Sequence, residues 1–301
     1  MATLPDIPLQ EIPDSPLLQM DFLESTWFKT HGQSHQLPTP ERVRAIGESQ
    51  RVATVVRFEE LGIVVKSGSH IHVTEAINLW AVRKFCGDSV PVPEVYAWRV
   101  LEREDHSNEV FIYMQLMPGP TLEERWATLL DTEKRNISHE LRDMVSCFRT
   151  LRVEGAEQFI GAINNGPSLD KGLKFEPKLR PFPNRQAFHD WLSWIWRRHV
   201  LDPSTIEDPW RALLLDDGPL AFTHGDLRPA NIIVTENSPV QVVGVVDWEQ
   251  AGWYPDYWEY CKAMYTVDYQ GEWRGWMERF LEPDAQALEA YDFYMNSIGY
   301  Y

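Results

Sequence analysis

The period of the apolar positions changes along the chain, and the changes outline two regions of different build. Residues 52–58 and 62–66 are short runs rich in β-branched side chains, with Glu59, Glu60 and Leu61 between them, which predicts two strands joined by a turn. Over residues 74–85 the spacing switches. Ile77, Trp80, Ala81 and Phe85 recur at three- and four-residue intervals and predict one helix. Val90-Pro91-Val92-Pro93 predicts extended chain, because a proline pushes its predecessor out of the α region. Two further strands are expected at 95–101 and 110–116. Strand, strand, helix, strand, strand is the order of a small antiparallel sheet with one helix packed on it.

Pro118-Gly119-Pro120 interrupts this pattern and marks the expected boundary between two lobes. Beyond it the helical period dominates. Residues 121–130 open with the capping box of Thr121 and Glu124, and 131–152 and 185–201 are longer helical stretches. Short strands return at 232–234 and 242–246, and residues 254–300 read as helical and aromatic. At the other end, Pro5, Pro8, Pro13 and Pro16 break any period, so residues 1–37 read as a loosely ordered arm. Pro40 is placed to open a short helix. The expected fold is therefore two-lobed α+β. An arm (1–37) precedes a small antiparallel-sheet lobe (38–117) and a larger, mainly helical lobe (118–301).

Composition narrows the partners. A chain of 301 residues, 44% hydrophobic and 24% charged, can bury a substantial core. Its formal net charge of -17 argues against nucleic acid and against an anionic membrane surface. The three cysteines, Cys86, Cys147 and Cys261, form no CxxC pair, and a reduced, cytoplasmic protein is the simplest expectation. Residues 1–21 lack the basic start and apolar run of a signal peptide, and no run of about 20 apolar residues exists to span a bilayer.

The sharpest chemical signal is Phe222-Thr-His-Gly-Asp-Leu-Arg-Pro-Ala-Asn-Ile-Ile-Val234. A carboxylate, Asp226, stands five positions before an amide, Asn231, and a short strand follows. A second strand leads into Asp247. Phosphoryl transfer needs such a set: one carboxylate to orient the acceptor hydroxyl and take its proton, and an amide oxygen and a second carboxylate to hold magnesium. A lone Asp–Asn pair is more often a loop acid and a cap. The full string, with a strand on each side and Asp247 after the second, is much more specific.

His224-Gly225-Asp226 through Asn231 resembles the catalytic loop of aminoglycoside phosphotransferases and choline-kinase-like enzymes, and Val245-Val246-Asp247-Trp248-Glu249 resembles their metal-binding motif. The extension Glu249-Gln-Ala-Gly-Trp-Tyr-Pro-Asp-Tyr-Trp-Glu259 is similar to a fungal branch of that family, mostly of unassigned function. The similarity spans about residues 38–281. It implies a protein-kinase-like fold and transfer of phosphate from ATP, with magnesium, to a hydroxyl of a small molecule. It also implies Asp226 as catalytic base, Asn231 and Asp247 as magnesium ligands, and His224 as a loop-ordering residue.

Upstream, Lys66 ends a strand and Glu75 sits in the first turn of the next helix. In kinases a strand lysine binds the α/β-phosphates and is held by a helix glutamate. A strand-end lysine alone would be a solvated surface residue, but its place upstream of His-Gly-Asp favours the functional reading. Residues 111–117 resemble the strand and hinge between kinase lobes, with backbone groups near Gln115 and Met117 placed for adenine. One feature departs from the family: residues 58–62 hold one glycine and two acids, with no GxGxxG. Weak nucleotide binding, dependent on Lys66, is expected. The alternatives are a pseudokinase-like binding protein, or an enzyme using Asp226 as general acid/base for another reaction.

Other candidates read as structural. His70 and His72 share a strand face without a third ligand, and His31 and His35 lack an HExxH pattern. Phe188, Trp191, Trp194 and Ile195 form a core stripe. Glu249, Asp256 and Glu259 either receive a cationic substrate or cap helices.

Overall fold

The computed structural model describes residues 6–47, 53–103, 106–155, 158–173 and 180–300. The first half is a five-stranded sheet. Its strands are β1 (Gln19–Asp21), β2 (Thr54–Phe58), β3 (Ile63–Gly68), β4 (Val95–Glu102) and β5 (Asn108–Gln115), in the order β1-β4-β5-β3-β2 and antiparallel throughout. Alternation decides which side chains face the core. In β3, Ile63 and Val65 are buried on one face, and Val64 and Lys66 point to the other.

Helix α3 (Val73–Cys86) packs against β4 and β5. It is buried on nearly every side, with Ile77, Leu79, Ala81 and Val82 fully enclosed, because the C-terminal half covers its second face through α5 (Asp131–Phe148). The helix therefore belongs to both cores. Asn78, at its middle, is completely buried and donates to the carbonyls of Trp248 (2.9 Å) and Ala251 (3.4 Å). Cys86 and Cys147, far apart in sequence, lie near the ends of α3 and α5. Burial pushes the Cys86 thiol up, and the neighbouring Cys147 adds to the effect.

Residues 6–37 of the expected arm are packed against the rest of the chain. Proline removes helical period without removing packing, and residues 6–37 tie onto both halves. The buried Ile7 pairs in parallel with Val153 of the helical region. Next, β1 adds an edge strand to β4, and the short α1 (Thr26–His31) buries Trp27 and Phe28 on the outer face of the sheet. Pro40 opens α2 (Pro40–Ile46), capped by Thr39.

After Pro118-Gly119-Pro120, the helical region holds α4 (Leu122–Arg125), α5 and α6 (Arg185–Ile195), then α7 (Trp258–Thr266), α8 (Arg274–Met277) and α9 (Ala285–Ile298). Two small sheets sit among them: β6 (Leu220–Thr223) with β9 (Gly252–Pro255), and β7 (Ile232–Val234) with β8 (Val242–Val245). The Thr121–Glu124 capping box is present, but α4 ends early because Trp126 turns inward onto Trp273 and Trp276. Helix α6 stops at Ile195 rather than near 201. The Arg197 guanidinium gathers the carbonyls of Ser193, Pro203 and Ile206 and folds the chain back. In that helix Phe188 and Ile195 are core, whereas Trp194 is exposed. Residues 254 and 255, expected to open a helical stretch, instead belong to β9, which pairs with β6. No helix among the described residues is long and apolar enough to cross a membrane.

Candidate active site

The two small sheets place the acidic motifs. Strand β6 delivers His224, Gly225 and Asp226 at its end, and the β7–β8 pair brings Asn231 and Asp247 beside them. Gly225 has φ +78°, and a side chain there would crowd the Gln250 carbonyl at 3.0 Å, so the motif needs glycine at this step. Asp247 is a non-glycine residue at φ +65°. Aspartate is among the few residues that tolerate this left-handed region, and the sharp turn aims its carboxylate away from β8 into the cleft.

The catalytic-loop candidate is held from beneath. Glu259, in the first turn of α7, is fully buried and accepts from the backbone N–H of His224 (2.6 Å) and of Gly225 (3.2 Å). Burial raises its carboxyl, partly opposed by His224 and by these bonds. The Asp226 N–H donates to His224 Nδ1 at 3.1 Å, so the ring proton sits on Nε2, which donates to the Val246 carbonyl at 3.0 Å. His224 thus ties the Asp226 loop to the Asp247 loop, in the ordering position expected from sequence.

Asn231 donates through Nδ2 to Asp226 O (2.9 Å) and Oδ2 (3.1 Å). Its donors are spent on Asp226, which leaves Oδ1 as the group it can offer to the cleft that it lines with Asp247. Arg228 Nε stands 3.5 Å from Asp226 Oδ2.

From the other side, β3 and α3 supply Lys66 and Glu75. Lys66 Nζ lies 3.0 Å from Glu75 Oε1, 2.6 Å from Asp247 Oδ1 and 3.1 Å from Glu249 Oε2. Burial alone would lower the lysine, but these carboxylates outweigh it and hold the ammonium form well above the usual range. Glu75 is buried, and desolvation pushes it up to about 7 against the pull of Lys66. Burial alone would raise Asp247, but the charge and hydrogen bond of Lys66, with the charge of Lys171, together outweigh it and hold the carboxyl below its usual range.

A cavity of about 220 Å³ opens over this cluster. Val55 and Val64 line it from the sheet, Ile233 and Val246 from β7 and the end of β8, and Gln115, Leu116 and Met117 close its back. Two apolar walls with a polar end suit a flat ring that carries charge at one side. Of the two hinge candidates, Gln115 has its N–H bonded to Glu94 O (2.8 Å), and its side-chain oxygen accepts from the Glu94 N–H (3.3 Å). The Met117 N–H makes no hydrogen bond within the described residues. Gly119 lets the hinge pass close to β7, since a Cβ there would collide with the Val234 carbonyl.

Lys66, Glu75, Gln115, Met117, Asn231 and Asp247 therefore line one cavity, with Asp226 bonded to Asn231 at its edge. The His70/His72 and His31/His35 pairs do not join it. Among the described residues, the cluster of three potential metal-binding side chains is Glu75, Asp247 and Glu249. Sequence reasoning leaves Glu249 and Glu259 undecided and passes over Asn78 and Lys171. Glu249 stands two positions after Asp247, a spacing that signals a shared site only once the turn at Asp247 is known. Asp256 turns away and takes Arg185 Nη1 at 2.7 Å.

A family model described as the phosphotransferase enzyme family matches residues 41–294, and the chain belongs to that family. The search of curated proteins gave no match. Among solved structures, the GDP and kanamycin complex of APH(2")-IIia is similar over 91% of this chain and 89% of its own, at 18% identity and a TM-score of 0.52. A thermostable mutant of aminoglycoside phosphotransferase APH(4)-Ia, in ternary complex with AMP-PNP and hygromycin B, is similar over 81% of this chain and 80% of its own, at 19% identity and a TM-score of 0.51. The fold is the kinase-like fold, with the five-stranded antiparallel sheet as its smaller lobe and the mainly helical region as its larger one.

Proposed function

We propose that the protein transfers a phosphoryl group from ATP to a hydroxyl of a small molecule, with magnesium. Asp226 acts as the base that orients and deprotonates the acceptor. Asn231 Oδ1 and the Asp247 carboxylate hold the metal, for which oxygen donors are the right chemistry. Magnesium bound there would neutralise phosphate charge that the acidic cleft otherwise repels. Lys66, steadied by Glu75, takes the α/β-phosphates, and the N–H of Met117 meets the adenine edge, with Gln115 supporting the strand behind it. A cytoplasmic location, where magnesium–ATP is plentiful, goes with this reading.

The single observation that carries it is the Lys66 knot. A lysine from β3 meets Glu75 nine residues away and Asp247 181 residues away, beside an asparagine whose amide is turned by Asp226. A structural ion pair needs one partner, and this ammonium group has three carboxylates around it. Family membership supports the same reaction class.

Thermal unfolding with ligand tests it. A native-state ligand at a hundred times its Kd stabilises by about 2.7 kcal/mol. Magnesium–ATP should raise the Tm, ATP with a chelator should raise it less, and Asp247→Ala and Asn231→Ala should remove the metal-dependent part. No shift at any practical concentration of magnesium–ATP would overturn the proposal. The acidic turn between β2 and β3 favours, in that event, a kinase-fold binding protein or another reaction at Asp226.

A further inference from the structure

Beside the Lys66 cluster stands a cation that these roles do not use. Lys171 lies in a short turn (Lys171–Leu173) of the helical lobe and pairs through Nζ with Glu249 Oε1. The other oxygen of Glu249 takes Lys66 Nζ at 3.1 Å. One carboxylate is thus shared by a lysine from the sheet lobe and a lysine from the opposite lobe.

Lys171 is fixed in place by an arrangement that is expensive to build. Its backbone N–H donates to Gln250 Oε1 at 2.9 Å, and the next N–H, of Gly172, donates to Asp170 Oδ1 at 2.7 Å. Both acceptors are also held by Lys262, at 2.8 Å for Gln250 Oε1 and by a short contact to Asp170 Oδ1. Trp258 Nε1 adds a bond to Asp170 Oδ2 at 2.9 Å. Asp170, Gln250 and Lys262 are 1%, 2% and 0% exposed. Taking a lysine and a carboxylate out of water loses hydration that their mutual attraction at best offsets, so a buried pair of this kind is weak as a stabiliser. What the network does deliver is the position of residues 170–172. Asp170 and Gly172, on either side of Lys171, are buried, and the Lys171 side chain, 43% exposed, emerges between them to reach Glu249.

The opposite side of the cleft lacks what most kinases put there. The connection from β2 to β3 is a 3-10 turn over Glu59–Leu61 with two exposed acids, not a run of glycine amides. Charge on a transferring phosphoryl group must then be met from elsewhere.

We propose that Lys171 binds the terminal phosphoryl group of the nucleotide, supplying from the helical lobe the contact that a glycine-rich turn would supply from the sheet lobe. This rests on the phosphotransferase reading above. Glu249 pairs with both lysines, and a triphosphate competes with it for them.

Calorimetry on the intact protein with magnesium and either AMP-PNP or ADP tests the assignment. Lys171→Ala should weaken AMP-PNP binding by about tenfold, the worth of one charge-assisted hydrogen bond, and leave ADP within about twofold. Lys171→Arg should retain AMP-PNP binding, and Lys66→Ala should weaken both nucleotides. An unchanged Tm for Lys171→Ala without ligand excludes misfolding. Equal losses for the two nucleotides, or no loss for either, would overturn the Lys171 assignment alone. A raised acceptor KM with unchanged AMP-PNP binding would also overturn it, since Lys171 would then serve the acceptor. A wild-type protein that binds neither nucleotide would overturn the phosphotransferase reading and this inference together.

Discussion

Strands β2 and β3 line the cleft from one side and the loop after β6 lines it from the other, and the two connections are built on opposite plans. The β2–β3 turn is exposed and held by little: Glu60 makes a solvent-facing pair with Arg42 at 3.4 Å, and Trp27 Nε1 reaches the Leu61 carbonyl. The His224–Asn231 loop is over-determined. Glu259, His224, Asn231 and, through the neighbouring Trp248 and Ala251 carbonyls, Asn78 each use a buried polar group to hold it or the adjoining Asp247 loop. A buried polar group without its partner costs about 1–3 kcal/mol, whereas an exposed pair contributes at most about 1 kcal/mol. The difference teaches where precision is needed. On the proposed mechanism, the reacting groups sit on the rigid side, and the glycine-poor turn has only to stay out of their way.

The comparison can be broken most decisively at Asp226. Asp226→Asn keeps the shape of the side chain but removes its basicity. Turnover should fall by about 10²–10⁴-fold with the far-UV and near-UV spectra unchanged. Wild-type activity in a folded Asp226→Asn sample would remove the rigid loop from the chemistry altogether.

Glu259 tests the rigidity itself. Glu259→Ala leaves the His224 and Gly225 N–H groups buried without an acceptor, and urea unfolding should show a loss of about 3 kcal/mol. Glu259→Gln, which still offers one oxygen, should lose less than the alanine variant. If both variants unfold at the wild-type urea concentration, the loop is held by something else.

Glu75 gives a test that depends on pH. Burial raises its carboxyl in the folded protein to about 7, from an ordinary 4.5. Between those values the native state binds more protons than the unfolded state, so the contribution of Glu75 to stability is favourable at low pH and falls as pH rises through this window. The loss amounts to at most about 3 kcal/mol, because each tenfold change in proton affinity is worth about 1.4 kcal/mol. Glu75→Gln should therefore gain stability relative to wild type between pH 5 and pH 7.5, measured as the change in Tm difference. A constant difference across that range would mean that the native carboxyl titrates normally.

The smallest effect is expected on the exposed side. Replacing Glu59 and Glu60 together by glutamine removes two charges from the turn. It should tighten magnesium–ATP binding by no more than about threefold at low salt and by nothing measurable at high salt, because exposed charges are screened. A tenfold gain that survives high salt would show that the turn packs on the nucleotide and is no passive edge.

Much of this molecule is legible as pattern. The period of apolar residues marks β2, β3, α3, β4 and β5 to within a few residues, since each buries one face, or in the case of α3 nearly every face, and the core repeats that demand along the chain. His224-Gly225-Asp226 with Asn231 and Asp247 is visible because backbone constraints force residue type: Gly225 has no room for a side chain, and Asp247 turns through the left-handed region. The arm is where pattern misleads. Four prolines carry no period, yet Ile7, Trp27 and Phe28 bury against distant partners that no local window contains.

What sequence determined by itself was therefore local: the elements, the acidic motif and the chemistry available to it. Tertiary structure alone decided the long-range contacts. It brought Lys66 within reach of Asp247 and Glu249, 181 and 183 residues on, and sent Asn78 from α3 to the carbonyl of Trp248. It also buried Asp170 with Lys262, next to which Lys171 reaches Glu249. The physical reason is that a carboxylate's role depends on burial and on what lies within about 4 Å of it, and neither is encoded near it in the chain. Glu249, Asp256 and Glu259 fall within eleven residues of each other and look alike in sequence. Folding sends the first into the cleft, the second to Arg185 and the third beneath the loop that carries Asp226.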